Sequence, residues 1–180
     1  MLLRTVVTFS AILVATVCVA EDWLQTKLAR DLPLLGHRNW IVIADSAYPA
    51  QSRPGIETVY IGGDQLTAVR EVLKAVDSSK HVRTNVLLDA ELAAVPEADA
   101  PGIAAYRREL VASLDKRVPS RRPHEEIIRE LDDAAKTFRV LILKTDLTIP
   151  YTSVFVQLDC GYWSADAEQR LRAAIKEQKP

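Results

Sequence analysis

The chain is short of the residues that most metal, thiol and phosphate chemistries require. It has two cysteines in 180 residues, Cys18 and Cys160. Cys18 falls inside an apolar leader, so removal of that leader leaves Cys160 alone. No internal disulfide and no thiolate metal site can then form. Cys160 follows Gln157-Leu158-Asp159 and reads as a strand residue rather than a nucleophile. The three histidines, His37, His81 and His124, are far apart and lack the short spacing of metal ligands. His81 opens a strand and reads as a surface residue. The six glycines form neither a phosphate loop, nor a dinucleotide turn, nor a nucleophile elbow. Gly62-Gly63 reads only as a strand-to-helix turn. No metal and no cofactor is expected.

Charge of one sign is also missing. Lys and Arg number 23 against 24 Asp and Glu. That balance gives no electrostatic case for nucleic acid or an anionic membrane surface. Arg107-Arg108 and Arg121-Arg122 are mere pairs, read as solvated helix or loop faces. No apolar run reaches the about 20 residues that a membrane span needs. The longest, residues 6–20, follows the short basic start Met1-Leu2-Leu3-Arg4 and is mildly broken by Thr8, Ser10 and Thr16. Cys18-Val19-Ala20 then supplies small residues before Glu21-Asp22. This layout predicts a signal peptide over residues 1–20, cut after Ala20, and a secreted or periplasmic mature chain of residues 21–180 with no membrane association. An uncleaved anchor is the alternative. Lipid attachment at Cys18 is weaker, because Val17 is bulky for such a site.

What is present is an alternation of helical and extended patterns in a chain long enough for a real core. Trp23, Leu24, Leu28 and Leu32 predict a helix over 22–35, with Pro33 in its late region. Strands are expected at 39–45, 56–61 and 82–88. Asp64 is placed to cap a helix carrying Leu66, Val69, Val72, Leu73 and Val76 on one face. Pro96 and Pro101 make 93–102 a loop. Helices are expected at 103–114 and 124–137, the second with Pro123 at its start and Glu125-Glu126 in its first turn. Pro119 and Pro123 break the chain between them. Apolar strands at 138–143 and 151–158 close the core as a strand pair, and a charged helix follows at 165–178. The class is α/β: a single layered sheet of short strands with helices packed on it.

The segment Gly36-His37-Arg38-Asn39-Trp40-Ile41-Val42-Ile43-Ala44-Asp45-Ser46-Ala47-Tyr48-Pro49 puts a histidine before a buried strand and an aspartate after it. At 3.3 Å per residue the two start roughly 26 Å apart if the segment is extended. They meet at one site only if His37 folds back or if two chains assemble the site. In the late strand, Tyr151 and Ser153 are two apart and are expected to share a face. Singly, each has a bland reading. His37 is a loop histidine after the first helix, Asp45 a turn former before Pro49, and Tyr151 an ordinary strand aromatic.

As a set they resemble the D-ribose pyranase and L-fucose mutarotase family. The resemblance is carried by Gly36-His37, by Asp45-Ser46-Ala47-Tyr48-Pro49 and by Pro150-Tyr151-Thr152-Ser153. Gly55-Ile56-Glu57-Thr58-Val59 before a helix, and Asn85-Val86-Leu87-Leu88-Asp89 before an acidic loop, support it. It covers roughly residues 31–163.

The resemblance implies a ribose pyranase-like fold assembling into a ring-shaped homo-oligomer, often a decamer, with sites between neighbours. It implies interconversion of the cyclic forms of a free monosaccharide without metal or nucleotide. His37 stands at the family's catalytic histidine and Asp45 at the aspartate closing the first core strand. Tyr151 stands at the late tyrosine, expected to reach a neighbour's site. His124 resembles a second histidine of the ribose-type members, although it lies 27 residues before Tyr151, which requires an insertion. Ser153 replaces the family's usual asparagine and is expected to hold substrate, with a shorter side chain and without the amide's two ends. The expected chemistry is general acid/base ring opening, with His37 as the main acid/base. The alternative is an exported sugar-binding or assembly protein without catalysis on the same scaffold. It is favoured by Ser153, by the long segment 93–123 and by the extra C-terminal helix. Catalysis on an unusual sugar is a third reading.

Overall fold

The computed structural model describes residues 23–177; the leader expected at 1–20 lies outside the described residues. Residues 23–31 are helical (α1) and run into a 3₁₀ turn, Leu32–Leu34, that contains Pro33, so the helix expected to reach residue 35 is α-helical only to residue 31. Six strands follow: β1 (Trp40–Ala44), β2 (Ile56–Tyr60), β3 (Val82–Asp89), β4 (Ser120–Arg122), β5 (Val140–Lys144) and β6 (Val154–Cys160). The remaining helices are α2 (Gln65–Asp77), α3 (Ile103–Ser113), α4 (His124–Ala134) and α5 (Ala165–Glu177). One six-stranded sheet has the order β2-β5-β1-β6-β3-β4. β2, β5 and β1 are parallel, β3 and β4 are parallel, and β6 runs antiparallel to both β1 and β3.

Local chemistry explains most boundaries. β1 is buried throughout, and its alternation divides the core. Ile41 and Ile43 face one side with Leu141, Leu143, Val154, Val156 and the apolar stripes of α1, α2 and α3. Trp40, Val42 and Ala44 face the other with Ile142, Phe155, Leu87 and the α4 residues Ile127 and Leu131. Helices thus cover both faces of the sheet. Asp64 caps α2 as its sequence position implies, accepting from the backbone N–H of Thr67 at 2.7 Å. α5 is charged and, within its described residues, none is buried.

Four details differ from the sequence pattern. β4 is a strand where only a proline-bounded break was expected. Ser120, Arg121 and Arg122 carry no apolar periodicity, and they become a strand only by pairing in parallel with Leu87, Leu88 and Asp89. β5 and β6 are not partners; they lie on opposite sides of β1. β6 begins at Val154, so Tyr151 and Ser153 precede the strand and do not share a strand face. Tyr151 adopts a left-handed backbone (φ 57°), which breaks the extended run there. His81 is half-buried instead of free at the surface: its Nε2 lies 3.1 and 3.0 Å from the carbonyls of Leu32 and Leu35, and its Nδ1 2.6 Å from Ser79 Oγ.

Gly55 carries one close approach. Its carbonyl accepts from Val140 N–H, which sets the start of β5. A Cβ on it would fall 2.3 Å from the carbonyl oxygen of Ala135 and 2.6 Å from that of Phe138. Both contacts are backbone at the α4–β5 turn and have no rotamer to yield. Gly55→Ala is expected to destabilise the fold by about 1–3 kcal/mol, read as a lower urea midpoint with an unchanged slope.

Candidate functional site

The reversed direction of β6 builds one edge of the sheet. The carboxyl ends of β1, β3 and β4 lie there with the amino end of β6. In open α/β sheets ligands bind in the crevice outside the carboxyl ends of the strands. Asp45 follows β1, Asp89 ends β3, His124 follows β4 as the first residue of α4, and Tyr151-Thr152-Ser153 leads into β6. The topology thus gathers residues that are distant in sequence.

Two contacts tie the expected residues together. Ser153 Oγ donates to Asp45 Oδ2 at 3.2 Å, while Asp45 Oδ1 accepts from Ala47 N–H at 2.9 Å. Asp45 therefore is a turn former, and it also presents its second oxygen to Ser153. The His124 ring meets Tyr151 edge to face, with centroids 5.8 Å apart and planes at 82°. Tyr151 is 41% exposed, so its phenol is open to a ligand.

The segment carrying Tyr151 and Ser153 is clamped from inside. Gln65, buried at the start of α2, donates from Nε2 to the carbonyl of Thr152 at 2.6 Å. The hydroxyl of buried Tyr106 donates to the same carbonyl at 2.8 Å. Thr145 Oγ1 reaches both Gln65 Oε1, at 3.2 Å, and the carbonyl of Ala44, at 3.0 Å. Burial pushes the Tyr106 phenol upward, which keeps it a proton donor. These bonds fix the carbonyls at the ends of β1 and before β6 in a region where unmade hydrogen bonds are costly.

His37 is elsewhere. It precedes β1 and so lies at the opposite edge, in a polar cleft of about 450 Å³ with Arg38, Arg83, Asn85, Gln157 and Asp159. Arg83 and Asp159 form a cross-strand ion pair there at 2.5 Å. Within one chain His37 joins none of Asp45, His124, Tyr151 or Ser153.

Two site residues escaped the sequence reading. Asp89 is 0% exposed, and its Oδ2 lies 3.1 Å from His124 Nδ1. Burial, with the carboxylates of Glu91 and Asp45 adding to it, pushes Asp89 up to about 6 against the pull of His124. Glu91, in the 3₁₀ turn Ala90–Ala93, accepts the His124 backbone N–H with both carboxylate oxygens at 3.1 Å. It thereby supplies the cap that Pro123 cannot. A signal was available for Asp89: Leu87-Leu88-Asp89 repeats the apolar run closed by aspartate seen in Ile43-Ala44-Asp45.

The raised Asp89 has a signed consequence. Between the ordinary value of 3.8 and about 6, the folded chain binds more protons at this group than the unfolded chain does. This contribution to stability therefore grows as pH falls through about 6 and levels off below the unfolded value. Relative to Asp89→Asn, which cannot titrate, the wild type should gain stability as pH is lowered from 7 to 4.5, measured by urea unfolding of both proteins at each pH.

A family model described as the RbsD / FucU transport protein family matches residues 20–161. Similar solved structures include Bacillus subtilis RbsD complexed with D-ribose, 21% identical, with a TM-score of 0.49, covering 74% of this chain and 91% of that one. The fucose mutarotase of Streptococcus pneumoniae in complex with L-fucose is 17% identical, with a TM-score of 0.49 and the same shares of 74% and 91%. FucU from Bifidobacterium longum is 16% identical, with a TM-score of 0.46 over 74% of this chain and 94% of that one. No curated protein matches the chain.

Proposed function

The chain belongs to the RbsD / FucU family, and from that premise we propose that it interconverts the cyclic forms of a free monosaccharide by acid/base ring opening. The observation that carries this reading is the convergence of Asp45, Ser153, Tyr151 and His124 on one sheet edge, with Ser153 bonded to Asp45 and His124 set against Tyr151.

The chemistry needs two proton transfers. One group takes the proton of the anomeric hydroxyl while another gives a proton to the ring oxygen. The bond from the anomeric carbon to the ring oxygen breaks and a carbonyl forms. Closure on either face of that carbonyl, or from a different hydroxyl, reverses both transfers and yields another cyclic form. No electron is gained or lost. An imidazole suits either transfer near neutral pH, since its ordinary pKa is about 6.5. In this proposal His124 serves one transfer, beside Tyr151, whose hydroxyl donates to a sugar oxygen. Asp45 holds a sugar hydroxyl, and Ser153, only 2% exposed, fixes that carboxylate from behind through its own hydroxyl. His37 serves the other transfer from a neighbouring copy of the chain, because its own edge lies away from these groups. A homo-oligomer is thus part of the proposal, and so is export after cleavage behind Ala20.

The second reading, a sugar-binding or assembly protein without turnover, is favoured by one observation. Ser153 spends its hydroxyl on Asp45 and has no second polar end for a substrate.

The test is anomer exchange followed by NMR saturation transfer, together with light scattering on the eluting protein. D-ribose and L-fucose are the first sugars to try. An oligomer that accelerates exchange is expected. Tyr151→Phe and His124→Asn should each slow it by about 10²- to 10⁴-fold, and His37→Ala should slow it by a similar factor. Ligand-induced shifts without faster exchange would establish the binding reading instead. A fully active monomer, or an unchanged His37→Ala variant, would remove the neighbour's histidine from the mechanism.

A further inference from the structure

Asp89 is a buried carboxylate that the reaction above does not use. Neither of its oxygens, nor Nδ1 of His124, has an aligned hydrogen bond among the described residues, yet the two groups face each other at 3.1 Å. Arg122 is in register with Asp89 across the β3–β4 ladder; its guanidinium pairs with Glu130, and its buried Nε makes no hydrogen bond to Asp89. The imidazole is therefore the group left to answer the carboxylate. Resting on the mutarotase reading, we propose that Asp89 is a positioning residue for His124: its carboxylate accepts the Nδ1 proton, holds the ring edge-on to Tyr151, and leaves Nε2 as the atom that exchanges a proton with the sugar.

The geometry assigns the two nitrogens different tasks. Nδ1 is buried, while the side chain as a whole is 29% exposed. The exposure of the ring therefore lies at atoms other than Nδ1, and Nε2 is the remaining ring nitrogen. The backbone of His124 is held separately, by the Glu91 carboxylate on its N–H. Ring and backbone are thus fixed from two neighbouring points of one chain segment, the end of β3 and the turn that follows it. A carboxylate on one ring nitrogen selects the tautomer whose other nitrogen has a free lone pair, and it stabilises the imidazolium once that lone pair has taken a proton.

The proton balance is closed. Nε2 takes the anomeric hydroxyl proton, the charge is shared with Asp89 without transfer of the Nδ1 proton, and Nε2 returns the proton when the ring closes. Burial serves this role. Water does not compete for the Nδ1–H bond, and the low polarity around Asp89 strengthens its hold on the imidazolium. The charged or titratable groups around the pair are Glu91 from the following turn, Asp45 from the end of β1, Arg122 from β4, Tyr151 ahead of β6, Tyr48 from the β1–β2 connection and Glu125 on α4 itself. Among these the carboxylates all favour a protonated ring. Asp89 is the one in contact with Nδ1.

The experiment uses the full mature chain with nitrogen-15 in its histidines. Two-bond proton–nitrogen correlation spectra report both the tautomer of His124 and the pH at which it titrates. In the wild type the neutral ring should carry its proton on Nδ1. In Asp89→Asn the tautomer preference should weaken, with a larger share of the neutral ring carrying its proton on Nε2. Sugar exchange by that variant should fall about 10- to 100-fold, with KM near the wild-type value and the acidic limb of its pH profile moved to lower pH. A neutral wild-type ring protonated on Nε2 would overturn the proposal without any variant, which covers the case in which Asp89→Asn does not fold. An unchanged His124 tautomer in a folded variant would also overturn it. These spectra need no turnover. A coupled pair in a chain that exchanges no sugar would sink the mutarotase reading alone.

Discussion

The pairing of β6 between β1 and β3, antiparallel to both, is the constraint on which the rest depends. Five strands run one way and β6 runs the other, so its entry segment arrives at the carboxyl edge of its neighbours. A parallel β6 would have placed Tyr151 and Ser153 at the far edge, beside His37 and away from Asp45. The register is equally strict. Val154 and Val156 pack toward α1–α3 while Phe155 packs toward α4, so a slip of one residue would exchange both faces of a buried strand. Hydrophobic packing on two sides thereby sets the position of a polar site that contributes none of that packing.

Polar groups inside the fold carry this order out to the site. Gln65, Tyr106 and Thr145 converge on the carbonyls of Thr152 and Ala44, so α2, α3, β1 and the connection after β5 all meet behind Asp45 and Tyr151. Against that clamp Tyr151 can hold a left-handed backbone, which a bulky residue does not adopt without support. Asp89 shows the opposite side of the same economy. Its burial opposes its own ionisation, and the structure tolerates this where an imidazole lies against it. A carboxylate shifted by burial beside a specific charge partner is a candidate for a functional group.

Much of the fold was legible because its elements obey local rules. β1, β2 and β3 are short apolar or alternating runs bounded by turns, and α2 announces its start with Asp64 and its core face with Val69, Val72 and Val76. β4 was not legible. Ser120-Arg121-Arg122 has no pattern of its own, and its strand state comes from a partner more than thirty residues away in sequence, at Leu87–Asp89. Two strands joined by a short connection suggest a hairpin, but the β5–β6 connection spans β1 instead. Of the site, Asp45, Tyr151, Ser153 and His124 were visible as residues with suitable chemistry in a suggestive order, and His37 was visible too. Their grouping was not: His124 joins Tyr151, and His37 stands apart.

By itself the sequence determined which residues could do chemistry, which of the patterned segments would be strands or helices, and that no thiolate cluster, phosphate loop or dinucleotide turn was available. These are local matters, decided by side-chain type and by periods of two or 3.6 residues. Only the tertiary structure decided that β6 runs against its neighbours, that a proline-bounded arginine pair becomes an edge strand, and that Asp89 lies buried against His124. Those outcomes depend on which surfaces exclude water together, and that is a property of the packed chain as a whole that no window of sequence contains.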